Sequence, residues 1–157
     1  MRISAKADYA VRAMLQLTLE HAARPGAVTT CDAVAEAQDI PVKFLRNVIL
    51  LDLKRAGLIS STRGAEGGYK LAKAPKQISL ADVIRAVDGP LATVHGERPQ
   101  DVQYNGSAEV LQPVWVAVRA SLRSVLENVH LDHLATGNLP RQVAKLVEDP
   151  GAWDNNC

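Results

Sequence analysis

The sequence predicts a mostly helical chain that carries one small β-hairpin, and three observations predict it. Apolar residues recur at helical spacing through most of the 157 residues. A short helical segment, a three-residue turn and a longer helical segment follow one another between Thr30 and Gly57. Directly after them, a glycine-rich turn at 64–68 separates two short β-prone runs. An apolar fraction of 47 % with only 4 % aromatics suits a core of Ala, Val, Leu and Ile. The length suffices for one compact domain, or for a small domain with an oligomerisation arm whose core a partner subunit can complete.

Taken in order, Ser4 caps a helix running to about His21, with Ala7, Ala10, Val11, Met14 and Leu17 as its apolar stripe; Arg24-Pro25-Gly26 ends it. Thr30 caps a short helix with Ala33, Val34 and Ala37 inward, and Gln38-Asp39-Ile40 makes a tight turn. Pro41 opens the next helix, where its missing N–H costs nothing. That helix extends to about Ala56 with Leu45, Ile49 and Leu53 on one face, and Gly57 stops it. Strands at 58–62 and 69–71 form a hairpin placed as a wing. Together these elements spell a winged helix-turn-helix.

Ser79 then caps a helix whose Leu80, Val83, Ile84 and Val87 face inward, ended by Asp88-Gly89-Pro90. Residues 90–109 have no period and read as a long loop. From 110 to 129 comes the longest amphipathic helix, with Val114, Val118, Leu122, Val125 and Val129 at steps of four, four, three and four. These valines and leucine, with Trp115, are the predicted dimer interface, because a lone amphipathic helix must bury its stripe somewhere; a ligand-pocket wall is the other reading of Trp115. A turn or helix covers 131–147. The predicted organisation is a winged domain over 1–76, a linker helix, effector-type loop and dimerisation helix over 77–148, and a flexible tail over 149–157.

Charge supports contact with nucleic acid. Residues 1–76 hold twelve Lys and Arg against seven acids, a net +5, whereas 77–157 carry −4. Exposed positions near the start of the second helix of the pair are Val42, Lys43, Phe44, Arg46 and Asn47. Such a helix end enters the major groove, where Lys and Arg reach guanine or phosphate, Asn pairs with adenine and Phe meets a thymine methyl or sugar. A solvated helix face is the alternative. In the wing, Arg63 stands at the base of the turn formed by Gly64, Gly67 and Gly68 and followed by Tyr69 and Lys70. Glycines allow close approach to a phosphate rail, and an arginine there can enter the minor groove. A plain hairpin is the alternative, and a phosphate loop is disfavoured because a strand follows instead of a helix. Lys6, Thr29 and Thr30 are further phosphate candidates.

The run Met1-Arg2-Ile3-Ser4-Ala5-Lys6-Ala7-Asp8-Tyr9-Ala10-Val11-Arg12-Ala13-Met14 resembles the opening of the Rrf-type bacterial regulators. So do Arg55-Ala56-Gly57-Leu58-Ile59, Arg63-Gly64 followed by Gly67-Gly68-Tyr69-Lys70-Leu71, and Ile78-Ser79-Leu80-Ala81-Asp82-Val83-Ile84 with Asp88-Gly89-Pro90. The resemblance implies a homodimer joined through the long C-terminal helix, binding a palindromic double-stranded DNA operator, most often as a repressor. It matches Lys43, Phe44, Arg46 and Asn47 to the family's reading face and Arg63 to its minor-groove arginine. Many members hold an iron–sulfur cluster on three cysteines in the loop equivalent to 90–109. This loop has none, and His95, Glu97 and Asp101 are a poor substitute. The expectation is therefore no cofactor, no metal and membership of the cluster-free branch. Against the family pattern the helix between Phe44-Leu45 and Gly57-Leu58 is one residue longer, an excess that a π-bulge absorbs; the basic face keeps its aim if the bulge sits nearer the C-terminal half.

Other residues carry weaker signals. Cys31 lies at a helix start, where the dipole lowers a thiol pKa, so it is a candidate redox switch as well as a small semi-buried residue. Cys157 ends the tail. Two distant cysteines exclude a disulfide framework and a structural zinc site. His130 and His133 are spaced for a metal but lack a third ligand, so a helix-start role is preferred. No enzymatic constellation stands out. The loop over 91–106 is the candidate site for a metabolic-enzyme partner or a small-molecule effector. Asp8, Arg12 and Glu20 break any signal-peptide core, and no apolar run spans a bilayer, so the expected location is cytoplasmic. The rival function is a protein-interaction module on the same fold.

Overall fold

The structure, a computed structural model, describes residues 2–154. The first helix, α1 (Ala5–Ala23), begins where the Ser4 hydroxyl accepts the Ala7 N–H at 2.9 Å. Its Ala7, Ala10, Ala13, Met14 and Leu17 are buried. Thr18, also buried, loses no hydrogen bond because its hydroxyl donates to the Met14 carbonyl. α2 (Cys31–Gln38) is capped by Thr30, whose hydroxyl accepts the Ala33 N–H. Its buried residues are Cys31, Val34 and Ala35, whereas Ala33 and Ala37, predicted inward, are exposed. The helix is rotated because Cys31 takes the inner place. Asp39, at φ 50°, makes the left-handed turn between the helices.

The next helix is interrupted. α3 (Val42–Phe44) passes into a π turn (Leu45–Ile49) and then α4 (Leu50–Arg55), with Gly57 at φ 70° ending it. The wide turn lets Leu45, Ile49, Leu50 and Leu53 all reach the core. The π-bulge is thus present, but it begins in the N-terminal half and contains Arg46 and Asn47.

Strands β1 (Ile59–Thr62) and β2 (Gly68–Leu71) pair antiparallel, with Ile59 opposite Leu71 and Thr62 opposite Gly68. α5 (Leu80–Asp88) opens with a capping box in which the Ser79 hydroxyl accepts the Asp82 N–H and Asp82 accepts the Ser79 N–H. After the irregular segment and a 3₁₀ turn (Gly106–Val110) comes α6 (Leu111–Leu126), then α7 (Leu131–Thr136) and α8 (Arg141–Glu148). The Ser79–Asp82 box does more than start α5. The Leu80 N–H donates to the Val129 carbonyl and the Leu131 N–H to the Ile78 carbonyl, at 2.8 and 3.0 Å, so the chain leaving α6 is tied back to this corner.

Ile78, Val83, Val87 and Leu131 join the core made by α1, α2 and the interrupted helix. The core therefore continues past the boundary drawn at 76/77 and takes in α5 and α7. At the far end, a 3₁₀ turn (Pro150–Trp153) follows α8, and the Trp153 indole donates to the Val147 carbonyl. Part of the predicted flexible tail is thus structured, and Cys157 lies outside the described residues.

α6 is the exception to this packing. None of its residues is fully buried. Gln112, Trp115, Arg119, Leu122 and Leu126 turn toward their own chain, where Gln112 and Trp115 hydrogen-bond the 100–104 segment. Val114 is 50 % exposed and Val116 38 %. Three members of the predicted stripe have neighbours within their own chain, and only Val129 is buried there. Val129 lies beyond the helix, buried under α5; the Trp115 N–H is held by the Tyr104 hydroxyl at 3.0 Å; and Leu122 lines an intrachain hollow. Val114 lies fully on the uncovered side, and Val118 and Val125 are half-buried beside it.

At the foot of α6, Glu127 accepts from the Arg123 guanidinium at 2.9 Å and from Arg85 of α5. Hydrogen bonds from Arg123 and then Arg85 hold its carboxyl at about 2, below the ordinary 4.5. A depressed folded pKa means stability that is fully present above about pH 4.5 and is lost as pH falls toward 2. Urea melts of the wild type and Glu127→Gln should differ most at pH 6, draw together below about pH 4.5 and converge only as pH falls through about 2. A difference that persists at low pH would contradict this linkage.

Candidate nucleic-acid interface

Lys43, Phe44, Arg46 and Asn47 are exposed on α3 and the π turn, and Val42 is half-buried against the core. The helix is braced from α1. Phe44 packs edge-on against Tyr9 with ring centroids 6.2 Å apart, and the Arg12 guanidinium lies 5.4 Å over the other partner's ring, Tyr9. Arg12 also donates to the Gln38 carbonyl, and Gln38 donates to Gln16 at 3.0 Å, so α1 grips the turn of the pair. Tyr9, Arg12, Gln16 and Gln38 were absent from the sequence-derived set. The spacing of Tyr9, Arg12 and Gln16 along α1 is the available signal; the surface of α2 and α3 that they meet, Gln38 included, is not legible in it.

Arg46 pairs with Asp32 of α2 at 2.9 Å, both side chains being more than half exposed. An ion pair in water is worth less than about 1 kcal/mol, so a phosphate or base edge can displace Asp32. Phe44 is only 36 % exposed, and the Tyr9 contact takes one edge of its ring.

The wing is anchored by backbone. The Thr29 N–H donates to the Tyr69 carbonyl and the Tyr69 N–H to the Thr29 carbonyl, each at 2.8 Å. A Cβ on Gly68 would stand 2.7 Å from the Thr29 oxygen, and one on Gly67 would stand 2.4 Å from the Thr62 oxygen. These two glycines serve the packing of the wing itself. Gly64, at φ 102° with open space around it, shapes the exposed tip next to Arg63. Tyr69 packs on the core, and Lys70 is half-buried on β2.

Three expectations are corrected. Lys6 is no free phosphate contact. Its ammonium donates to Asp52 at 2.7 Å and to the Val87 carbonyl at 2.6 Å, linking α1 to α4 and α5 in a half-buried position. Thr29 is buried beneath the wing. Cys31 is only 6 % exposed, its thiol against the Val42 carbonyl. Burial pushes its pKa up, outweighing the opposing effect of Arg46, the reverse of the direction expected for a thiol at a helix start. Thr30 stays exposed, although its hydroxyl is engaged as the cap. His133 Nδ1 accepts the His130 N–H at 3.0 Å, the helix-start role preferred above. Lys6→Met should lower stability by about 1–3 kcal/mol in urea, since it leaves the Val87 carbonyl without this donor and Asp52 with only Arg55, 3.7 Å away, and should leave the salt slope of DNA binding unchanged. A reduced slope with full stability would restore the phosphate role.

Residues 3–137 match the family described as Rrf2, iron-dependent transcriptional regulator. The chain belongs to the Rrf2 family. An HTH-type transcriptional regulator of Mycobacterium tuberculosis, Rv1287, is 50 % identical over 155 residues, 99 % of this chain and 94 % of the relative. CymR of Bacillus subtilis is 29 % identical over 136 residues, 87 % of this chain and 91 % of CymR. In three dimensions the solved CymR of B. subtilis, the global cysteine regulator, superposes with a TM-score of 0.72 at 28 % identity, covering 87 % of this chain and 98 % of that one. The IscR of T. potens superposes at 0.68 with 29 % identity, covering 87 % and 88 %. The helices and hairpin described above are this family's winged helix fold, and the chain is a DNA-binding transcriptional regulator. No helix among the described residues is long and apolar enough to cross a membrane.

The family description implies iron, and the donor set in this Rrf2 chain does not fit a cluster. Iron–sulfur centres are held by thiolates. The chain has two cysteines, one buried at the start of α2 and one outside the described residues. Among the described residues no three His, Cys, Asp or Glu gather as metal ligands, and His95, Glu97 and Asp101 remain dispersed.

Proposed function

We propose that this regulator works as a homodimer paired through α6, represses transcription from a palindromic operator and does so without an iron–sulfur cluster. The observation that carries the reading is the uncovered face of α6. A sixteen-residue helix that carries Val114, Val118 and Val125 on one side has no buried residue within its own chain. A second copy would cover this face, completing the interface and presenting two reading helices to a two-fold site. Lys43, Arg46 and Asn47 would contact the major groove, with Arg63 in the adjacent minor groove and Thr30 and Lys70 near phosphate. The paucity of thiolates supports operation without a cluster, and the charge contrast between the two halves supports phosphate contact by the first.

The test combines light scattering with fluorescence anisotropy on DNA upstream of the protein's own gene. A dimer is expected that prefers the palindrome over a scrambled duplex, with log affinity falling linearly against log salt. Transcription in vitro from the same fragment should fall as protein is added. Equal weak binding to both duplexes, or a monomer at the working concentration, would overturn the reading in favour of a protein-interaction role.

A further inference from the structure

Three arginines from three different elements surround one hollow. Arg85 of α5, Arg98 of the irregular segment and Arg119 of α6 line a cavity of about 350 Å³ together with Gly89, Pro90 and Leu91. Arg85 is partnered by Glu127, a carboxylate it shares with Arg123. Arg119 donates only to the neutral Gln100 side-chain oxygen at 3.2 Å. Arg98 forms no side-chain hydrogen bond or ion pair with any described residue, and Glu97 and Asp101, its neighbours in sequence, do not line the hollow. Three guanidinium groups therefore line one hollow, and the carboxylate that pairs with Arg85 is not part of its lining. Guanidinium groups repel at such a site unless an anion joins them, and their planar forks match the oxygens of phosphate and carboxylate two at a time.

We propose that this hollow is a binding site for a small, multiply charged oxyanion, a phosphorylated or polycarboxylate metabolite. Arg98 and Arg119 supply the free donors, and Arg85 joins them from beside Glu127. The site also spans a joint. α5 is seated in the winged core through Val83 and Val87, whereas α6 has no buried residue, and Gly89 at φ 82° lies between α5 and the segment leading to α6. An anion gripped by Arg85 and Arg119 links the two helices directly and sets the angle at which α6 leaves the winged core. If α6 joins two subunits, as proposed above, that angle sets the spacing of the two reading helices, so the anion changes operator affinity.

Calorimetric titration of the full chain with inorganic pyrophosphate and, separately, with citrate tests the site, ionic strength being held constant with sodium chloride. Saturable binding of one anion per chain is expected, and the tighter of the two probes identifies the phosphate or the carboxylate class. Arg98→Gln and Arg119→Gln should each weaken binding at least tenfold with unchanged circular dichroism. Arg141→Gln, on α8, should leave it unaltered. Absence of saturable binding with both probes, or wild-type binding in both hollow variants, overturns the site. Operator affinity measured with and without saturating anion tests the coupling. A shift in the wild type that vanishes in Arg119→Gln supports it, and an unshifted affinity overturns the coupling while the titration still reports on the site. Failure to bind any operator counts against the proposed function and leaves the calorimetry to decide the anion site.

Discussion

Gly68→Ala is expected to unseat the wing while leaving the helices folded. The added Cβ would lie 2.7 Å from the Thr29 oxygen and 2.8 Å from its carbonyl carbon. Both are backbone atoms, so no rotamer change relieves the clash. The strand must move, and the two 2.8 Å bonds between Thr29 and Tyr69 go with it. Overpacking and two lost hydrogen bonds together cost about 2–4 kcal/mol. Urea denaturation should register that loss, far-ultraviolet circular dichroism should stay near wild type, and operator binding should fall because Arg63 is carried by the same hairpin. Gly64→Ala is the contrasting variant. Nothing lies within 4 Å of its Cβ, and only the strain of φ 102° is incurred, about 1 kcal/mol. Equal stability of Gly68→Ala and wild type would show that the wing does not depend on this close approach.

Arg63→Ala is expected to weaken operator binding by about 1–3 kcal/mol, roughly five- to 150-fold, with stability unchanged. Arg63 is fully on the surface beside the tip glycine, so its removal exposes no cavity. A minor-groove arginine reads groove width, so the loss should be greatest on A·T-rich flanks and small on scrambled DNA. Lys43→Ala, if Lys43 meets phosphate, should instead weaken all duplexes alike and reduce the salt slope by about one. Anisotropy across a salt series separates the two patterns. A uniform loss for Arg63→Ala would make it a phosphate contact and move the wing out of the groove.

Much of the fold was legible because its determinants are local. Ser4, Thr30 and Ser79 cap the helices they precede, as the identity of a capping side chain and the residues three ahead decide. The hairpin was readable from its glycine-rich turn. The π-bulge was foreseeable from one surplus residue, but its place was not. Its position depends on which of Leu45, Ile49, Leu50 and Leu53 the core accepts, and the core admits all four. The candidate interface was legible to the extent that it consists of exposed cations on a helix start and a turn tip.

The sequence by itself determined the order of elements, the winged helix class, the surface position of Lys43, Arg46, Asn47 and Arg63, and the shortage of thiolates for a cluster. Each of these is set by composition or by neighbours within a few positions. Only the tertiary structure decided that Lys6 links three helices, that Thr29 and Cys31 are buried, that Val129 belongs to the core, and that Arg85, Arg98 and Arg119 share one hollow. Those outcomes depend on which faces of distant segments meet. Groups 46 or 81 positions apart, such as the Asp52 carboxylate and the Val87 carbonyl from Lys6, come within bonding distance only when burial of the apolar stripes has fixed the packing of the helices.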